Sequence, residues 1–413
     1  LYLGAVLGTG VIALPALAAR VAGPASLIAW AILVLVSIPL AATFAALGAR
    51  YPDSGGVSTY ARRAFGDRTA AVVGWCFAAA VPPAAAAAAL FGGDYLAAAV
   101  GGGRTTASAT AVGLLATVTL TNAFGVSLTG RVQLLLASLL VAFLVTAVVV
   151  SAPHARATTL HPFAPEGWTA VGPATALLVW GFVGWEAITH LAGEFRRPER
   201  DLPRATAAAL VLIAVLYLAV AVATVTVLGP DAARSPAPLG DLLAVAWGGD
   251  ARTFAAVPAL LLTLGTMNAY FAGAAKLGAA LARDGAFPAA LAAGAWAGEV
   301  PRRAHLLNSS LSSLALLAVV VSGIGARPLV LVTTGLFVTV YAVGIAAAIR
   351  LLPPGAGRRT AVIASVGLAL LIVTSGVWLL GAGLVALAAL LYQRHHSRPV
   401  GRHPRSEGRT RSV

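Results

Sequence analysis

The sequence predicts an all-α polytopic membrane protein with twelve transmembrane helices, ten of them in paired halves of five, followed by two extra helices. Three observations carry this: an extreme apolar composition, two glycine-interrupted spans in matching positions, and a lopsided distribution of basic residues. Of 413 residues, 59% are hydrophobic and only 10% are charged. A soluble chain carries about 45–50% apolar and about 25% charged residues. The composition excludes an ordinary soluble enzyme, a disordered protein and a nucleic-acid-binding domain. Twelve spans of about 20 residues each would use about 240 of the 413 residues, close to the apolar fraction.

In chain order the apolar segments fall at about 1–21, 26–49, 69–91, 106–124, 132–151, 168–192, 205–228, 253–282, 305–322, 328–351, 360–374 and 376–393. The last two share one run that divides near Ser375–Gly376. Domain organisation follows: one transmembrane domain over 1–393, with a first repeat at about 1–152, a second at about 168–351 and the extra helices at about 360–393. The remainder, 394–413, is a basic tail rich in Arg, Pro and Ser, predicted to be disordered near anionic lipid headgroups. The seven residues before Gly8 make a half-helix of about 10 Å, against about 15 Å for half a hydrocarbon core. Roughly ten or more upstream residues are therefore expected.

The net charge of +14 would suggest nucleic acid in a soluble chain. In a membrane protein its meaning depends on placement, because cytoplasmic loops carry the Lys/Arg excess. With both termini cytoplasmic, 22 of the 28 basic residues fall inside, among them Arg62, Arg63, Arg200, Arg302, Arg303, Arg358 and the tail. The other six, Arg20, Arg104, Arg156, Arg234, Arg252 and Arg327, fall outside. The split supports an even number of spans. The single cysteine, Cys76, builds neither a disulfide framework nor a metal cluster.

Chemistry concentrates in two segments. The first reads LGTGVIALP over 7–15, where Gly8, Gly10 and Pro15 weaken a helix at membrane depth. Gly8, Gly10 and Ala13 also match the spacing of a dinucleotide fingerprint, but no acidic residue follows at 28–36. Close helix packing through Gly4 and Gly8 stays open as the structural alternative. The sixth segment reads WGFVGWE over 180–186; Gly181 and Gly184 interrupt it and Glu186 lies within the span. An ionisable group at that depth costs at least about 2.5–3.5 kcal/mol and marks a functional site by default; a structural hydrogen bond to loosened backbone is the alternative. Two interrupted spans, first and sixth, are the pattern of transporters built from inverted repeats. Such breaks leave backbone N–H and C=O groups unpaired beside a cavity, and these suit the carboxylate and ammonium of an amino acid. A channel would need a polar path through several spans, and a membrane enzyme would need clustered His, Asp or Glu; neither pattern is present, and no HExxH occurs.

The motifs LGTGVIALP, YPDSGGVSTYARRAFG (51–66), WGFVGWE with EFRRPERDLPRA (194–205), and ARDGAFP (282–288) stand in the order found in the amino acid–polyamine–organocation superfamily of permeases, which the chain resembles across nearly its whole length. Within it, LGTGV and FVGWEAITHLAGEF are most similar to the versions in bacterial exporters of methionine and branched-chain amino acids. The resemblance implies a LeuT-like fold in the cell membrane, with alternating access, neutral apolar amino acids as substrate, protons as the coupling ion, and no cofactor, metal or nucleic acid. It also implies roles by position. Thr9 and Gly10 match residues that hold the substrate carboxylate, and Gly8 the flexible residue before them. Carbonyls of Val6, Trp180 and Val183 match those that hold the amino group, and the Trp180 ring matches a cover. Tyr270 matches a gating aromatic, with Asn268 as a further polar contact, and Glu186 matches an acid linked to protonation. One departure stands out: Leu140 occupies the place of a lysine found in several relatives. The eighth span also lacks a Ser/Thr pair after Tyr270, which disfavours sodium; Lys276 and His190 are the other titratable candidates.

Overall fold

The computed structural model describes residues 8–52, 56–125, 130–186, 188–189, 197–295 and 299–396. Among them all regular structure is helical. Helix α1 (Gly10–Ala22) begins at the expected break, with Gly8 and Thr9 outside it. It ends at Gly23, whose φ is +57°, and a short 3-10 turn leads into α2 (Ser26–Arg50). Next come α3 (Gly56–Phe65), α4 (Asp67–Ala99), α5 (Arg104–Ala123) and α6 (Gly130–Ser151). The second half holds α7 (Val171–Leu178), α8 (Pro198–Ala223), α9 (Pro238–Trp247), α10 (Ala251–Arg283), α11 (Arg302–Ser322) and α12 (Arg327–Leu351). Helices α13 (Ala356–Ser375) and α14 (Leu379–His396) close the chain.

Among the described residues, eight helical stretches are long and apolar enough to cross a membrane, fewer than the twelve segments expected from the sequence. The difference has physical causes. Two of the eight, Gly10–Arg50 and Ala356–His395, each contain two helices separated at a positive-φ glycine, Gly23 or Gly376. Helix α5 is rich in threonine, with Thr105, Thr106, Thr110, Thr117, Thr119 and Thr121. The stretch Trp168–Phe182 is short because the helix unwinds where the sequence places its interruption.

Helix α4 is the hub. At 33 residues it is about 50 Å long, and it packs against α3, α5, α10, α11, α12 and α14. Its run Ala84–Ala89 is fully or almost fully buried, so the small side chains serve close helix approach. Two helices were not among the expected segments. Helix α3 falls between the second and third expected segments; Val57, Tyr60, Ala61 and Ala64 form its buried stripe, with Arg62 and Arg63 beside it. Helix α9 is ten residues long, too short to span, and Pro238 stands at its first position. Helix α8 starts at Pro198 rather than near 205, because Pro198, Glu199 and Asp201 supply an N-terminal turn.

Loops assigned to one side by the charge count do meet at one end of the bundle. The Tyr51 hydroxyl donates to the Leu351 carbonyl (3.0 Å), Trp75 Nε1 donates to the Ala286 carbonyl (2.7 Å), and the Arg350 guanidinium lies 5.5 Å from the Phe65 ring centre. At the opposite end Arg20 Nε donates to the Ala233 carbonyl (2.8 Å), Arg104 to the Val320 carbonyl (3.0 Å), and Arg252 pairs with Asp241 at 2.7 Å. There too, the Tyr95 hydroxyl donates to the Ile12 carbonyl (2.8 Å) and accepts the Leu239 N–H (3.2 Å), joining α4, α1 and α9. Val6, Gly55, His190, Glu194, Arg196 and the tail from 397 onward lie outside the described residues.

Candidate functional site

The two interruptions face each other. A Cβ added to Gly10 would stand 3.3 Å from the Gly181 Cα, 3.4 Å from Cε3 of Trp180 and 3.1 Å from Cδ1 of Leu14. The start of α1 and the turn after α7 therefore approach closely: a Cβ on Gly10 would crowd the Gly181 backbone, and one on Gly181 would stand 2.6 Å from Cδ1 of Leu14. Gly8 opens towards α10: a Cβ there would lie 3.6 Å from the Tyr270 hydroxyl. Gly8, Gly10, Trp180 and Tyr270, singled out from the sequence, are thus brought together, with Thr9 between the glycines.

Thr9 caps α1 by position but not by hydrogen bond. Its hydroxyl is buried and has no hydrogen-bond partner among the described residues. Buried polar atoms are nearly always paired, so such an atom at a helix N-terminus is suited to a ligand. Trp180 is buried against Phe91, ring centres 5.4 Å apart. Trp30, Phe182 and Tyr217 form an aromatic cluster with centroids 5.1–5.9 Å apart, in which Tyr217 meets both other rings edge-on.

Past α7 the chain makes one 3-10 turn, Val179–Phe182, then extends at Val183 (φ −75°, ψ +144°). Gly184 follows at φ +119°, a conformation that favours glycine. The loosened backbone is tied down by side chains from elsewhere. The Tyr217 hydroxyl donates to the Gly181 carbonyl at 3.0 Å. The Trp180 carbonyl accepts the Val183 N–H through a long 3.4 Å contact. Glu186, 5% exposed, accepts from the Tyr341 hydroxyl of α12 at 2.7 Å and from the Gly184 N–H at 3.1 Å. That N–H also lies 3.1 Å from the Tyr341 oxygen. Asn268 is buried on α10, two residues before Tyr270. Leu140 is buried on α6, and Lys276 is exposed on α10.

Tyr217 and Tyr341 are the site residues that sequence reasoning missed. A tyrosine at mid-helix in an apolar run carries one polar atom that must find a partner, and that signal was present in both segments.

A bundle of membrane-length apolar helices, with two facing backbone breaks and a buried carboxylate beside one of them, has the features of a membrane-embedded solute transporter. The chain matches the amino acid permease family over residues 1–404 and belongs to it, within the amino acid–polyamine–organocation superfamily; it is a transporter and not an enzyme. It is 32% identical to the uncharacterized amino acid permease YecA of Bacillus subtilis over 401 residues, 95% of this chain and 93% of that protein. It is 36% identical to the L-methionine/branched-chain amino acid exporter YjeH of Escherichia coli over 208 residues, 50% of this chain and 49% of the exporter. Similarity to the branched-chain amino acid permease BcaP of Bacillus subtilis is 25% over 229 residues, about half of each chain.

Proposed function

We propose that this chain is a secondary transporter of neutral, apolar amino acids, with methionine, leucine, isoleucine and valine as substrates, working by alternating access as an exporter with proton antiport. The observation that carries the reading is the meeting of two backbone breaks beneath Trp180 and beside Tyr270, with Glu186 as the nearby acid. Main-chain groups at Thr9–Gly10 take the substrate carboxylate, with Gly8 supplying the bend. Carbonyls of Val6, Trp180 and Val183 take the ammonium. Trp180 covers the ligand, Tyr270 gates it and Asn268 adds a polar contact. Glu186 exchanges the coupling proton, and its release from Tyr341 and Gly184 is the event that loosens the second break. The remaining surroundings of the breaks are aromatic and aliphatic, which favours an uncharged side chain. The specificity of the Escherichia coli exporter supports the substrate class and direction for the half of the chain that it matches.

The same reading takes the twelve apolar segments as two inverted repeats of five plus two helices in the cytoplasmic membrane. The end carrying Arg62, Arg200 and both termini faces the cytoplasm. Import or exchange of the same substrates is the alternative, supported by the similarity to a branched-chain amino acid permease.

Counterflow in proteoliposomes, with a panel of amino acids at several pH values, tests the reading. Saturable exchange of methionine and branched-chain amino acids, with accumulation that follows an imposed pH gradient, is expected. Flux of only charged amino acids, or accumulation indifferent to the gradient, would overturn it.

A further inference from the structure

A second buried polar cluster lies away from the breaks, where α11 packs against α5 and α10. His305 and Asn308 are 2% and 5% exposed, one helical turn apart on one face of α11. Nε2 of His305 lies 2.9 Å from the Thr119 carbonyl of α5. A carbonyl only accepts, so Nε2 carries the proton and Nδ1 of the neutral ring is an acceptor. Nδ1 makes no hydrogen bond among the described residues, and neither does Oδ1 or Nδ2 of Asn308. Buried polar atoms are rarely left unpaired, and here three lie on two neighbouring side chains. They comprise two acceptors and one donor, the set that water satisfies by donating twice and accepting once.

We propose that His305 and Asn308 form a second polar site, separate from the substrate cradle, which binds water and takes up a proton. The proton comes from hydronium in the solvent at the end of α11 marked by Arg302 and Arg303, three and two residues before His305. A new N–H bond forms on the Nδ1 lone pair, the hydronium leaves as water, and the ring becomes imidazolium; no other bond changes. Charged residues on the surrounding helices do not compete for it. Arg302 and Arg303 on α11, Arg252, Lys276 and Arg283 on α10, Arg104 on α5, and Asp67 and Arg68 on α4 are exposed, as are Asp284 beyond α10 and Glu299 before α11. Asp94, half-buried on α4, lies in the last two turns of that helix, at the end opposite Arg302 and Arg303.

The site has a mechanical partner. The imidazole stands 5.9 Å from the ring centre of Phe271, tilted by 62°. Phe271 is fully buried and directly follows Tyr270. A charged imidazolium attracts an aromatic ring more strongly than a neutral one does. Protonation therefore pulls on α10 beside the residue that gates the cradle, so solvent pH at one end of the bundle adjusts the gate without touching the substrate.

The test uses the purified full-length chain. Asn308→Leu removes the two polar atoms at nearly constant volume. If water fills the site, the variant strands Nδ1 and its melting temperature falls by about 2–4 °C; an unchanged or higher value overturns the hydrated site. This arm reads without any transport, so it stands even if the proposed substrates fail. In proteoliposomes, leucine counterflow by the native protein should show an inflection with pH. His305→Gln should lose that inflection. Asn308→Leu should also alter it, because the site loses its water. An inflection that persists unmoved in both variants, or that the native protein lacks, overturns the proton-binding role.

Discussion

At the first break, Gly8 and Thr9 lie outside any helix, and the buried Thr9 hydroxyl has no partner among the described residues. At the second, hydroxyls arrive from two other helices: Tyr217 of α8 holds the Gly181 carbonyl, and Tyr341 of α12 holds Glu186 and approaches the Gly184 N–H. Both breaks come from glycines in apolar runs, yet one leaves a polar atom available and the other is stitched to its surroundings. On the proposed function the difference separates two tasks: the open hydrogen-bonding position would serve a ligand, and the stitched one a movement released by a change at Glu186.

Substitutions can break this comparison at either end. The largest effect is expected from Gly10→Val, whose side chain must displace the Gly181 backbone, Trp180 and Leu14. Overpacking of this kind costs about 1–3 kcal/mol or more. Substrate binding, read by scintillation proximity on purified protein, should weaken by about a hundredfold while the protein still inserts. Glu186→Gln keeps the shape and removes the titratable charge. It should spare exchange at equal pH and abolish accumulation driven by a pH gradient; full gradient-driven accumulation in that variant would make Glu186 structural. Trp180→Ala removes a cover rather than a side-chain pocket. Its affinity loss, about thirtyfold for a buried aromatic anchor, should be similar for methionine, leucine and valine. The smallest effect is expected for Thr9→Val. Losing one ligand hydrogen bond of about 1 kcal/mol should weaken binding about fivefold. Loss of affinity confined to one substrate would instead place Thr9 in the side-chain pocket.

Much of this was legible in the sequence, for identifiable reasons. Long apolar runs mark the membrane-length helices because lipid tolerates little else. The breaks at Gly8–Gly10 and Gly181–Gly184 were visible because glycine is a poor residue inside a helix. Loop grouping followed from charge placement alone, and the Tyr51–Leu351 and Arg20–Ala233 contacts join loops assigned to the same side. Helices α3 and α9 were hidden by their shortness. Gly56 and two arginines gave α3 the look of a loop, and the ten residues of α9 fell below the length of a span. Tyr341 was missed because its partner, Glu186, is 155 residues away, and no local pattern encodes that pairing. His305 was passed over because it stands near the end of an apolar segment, where a histidine reads as solvated; only the packing of α5 and α10 around it buries the ring.

The Tyr95 hydroxyl bonds to both Ile12 and Leu239. Ile12 lies two residues beyond Gly10, about 3 Å along α1. One oxygen therefore couples the carboxylate end of the proposed cradle to a helix too short to cross the membrane, at the end of the bundle away from Arg302. A tilt of α1 away from α4 strips α9 of the partner for its Leu239 amide, so the two elements behave as crank and shutter on a single pin. Tyr95→Phe should disconnect them, and faster deuterium exchange at the amide of Leu239 would report it; unchanged exchange would mean that α9 is anchored by other contacts. With the pin intact, the proposed movement that uncovers the ligand on that face would also lift α9.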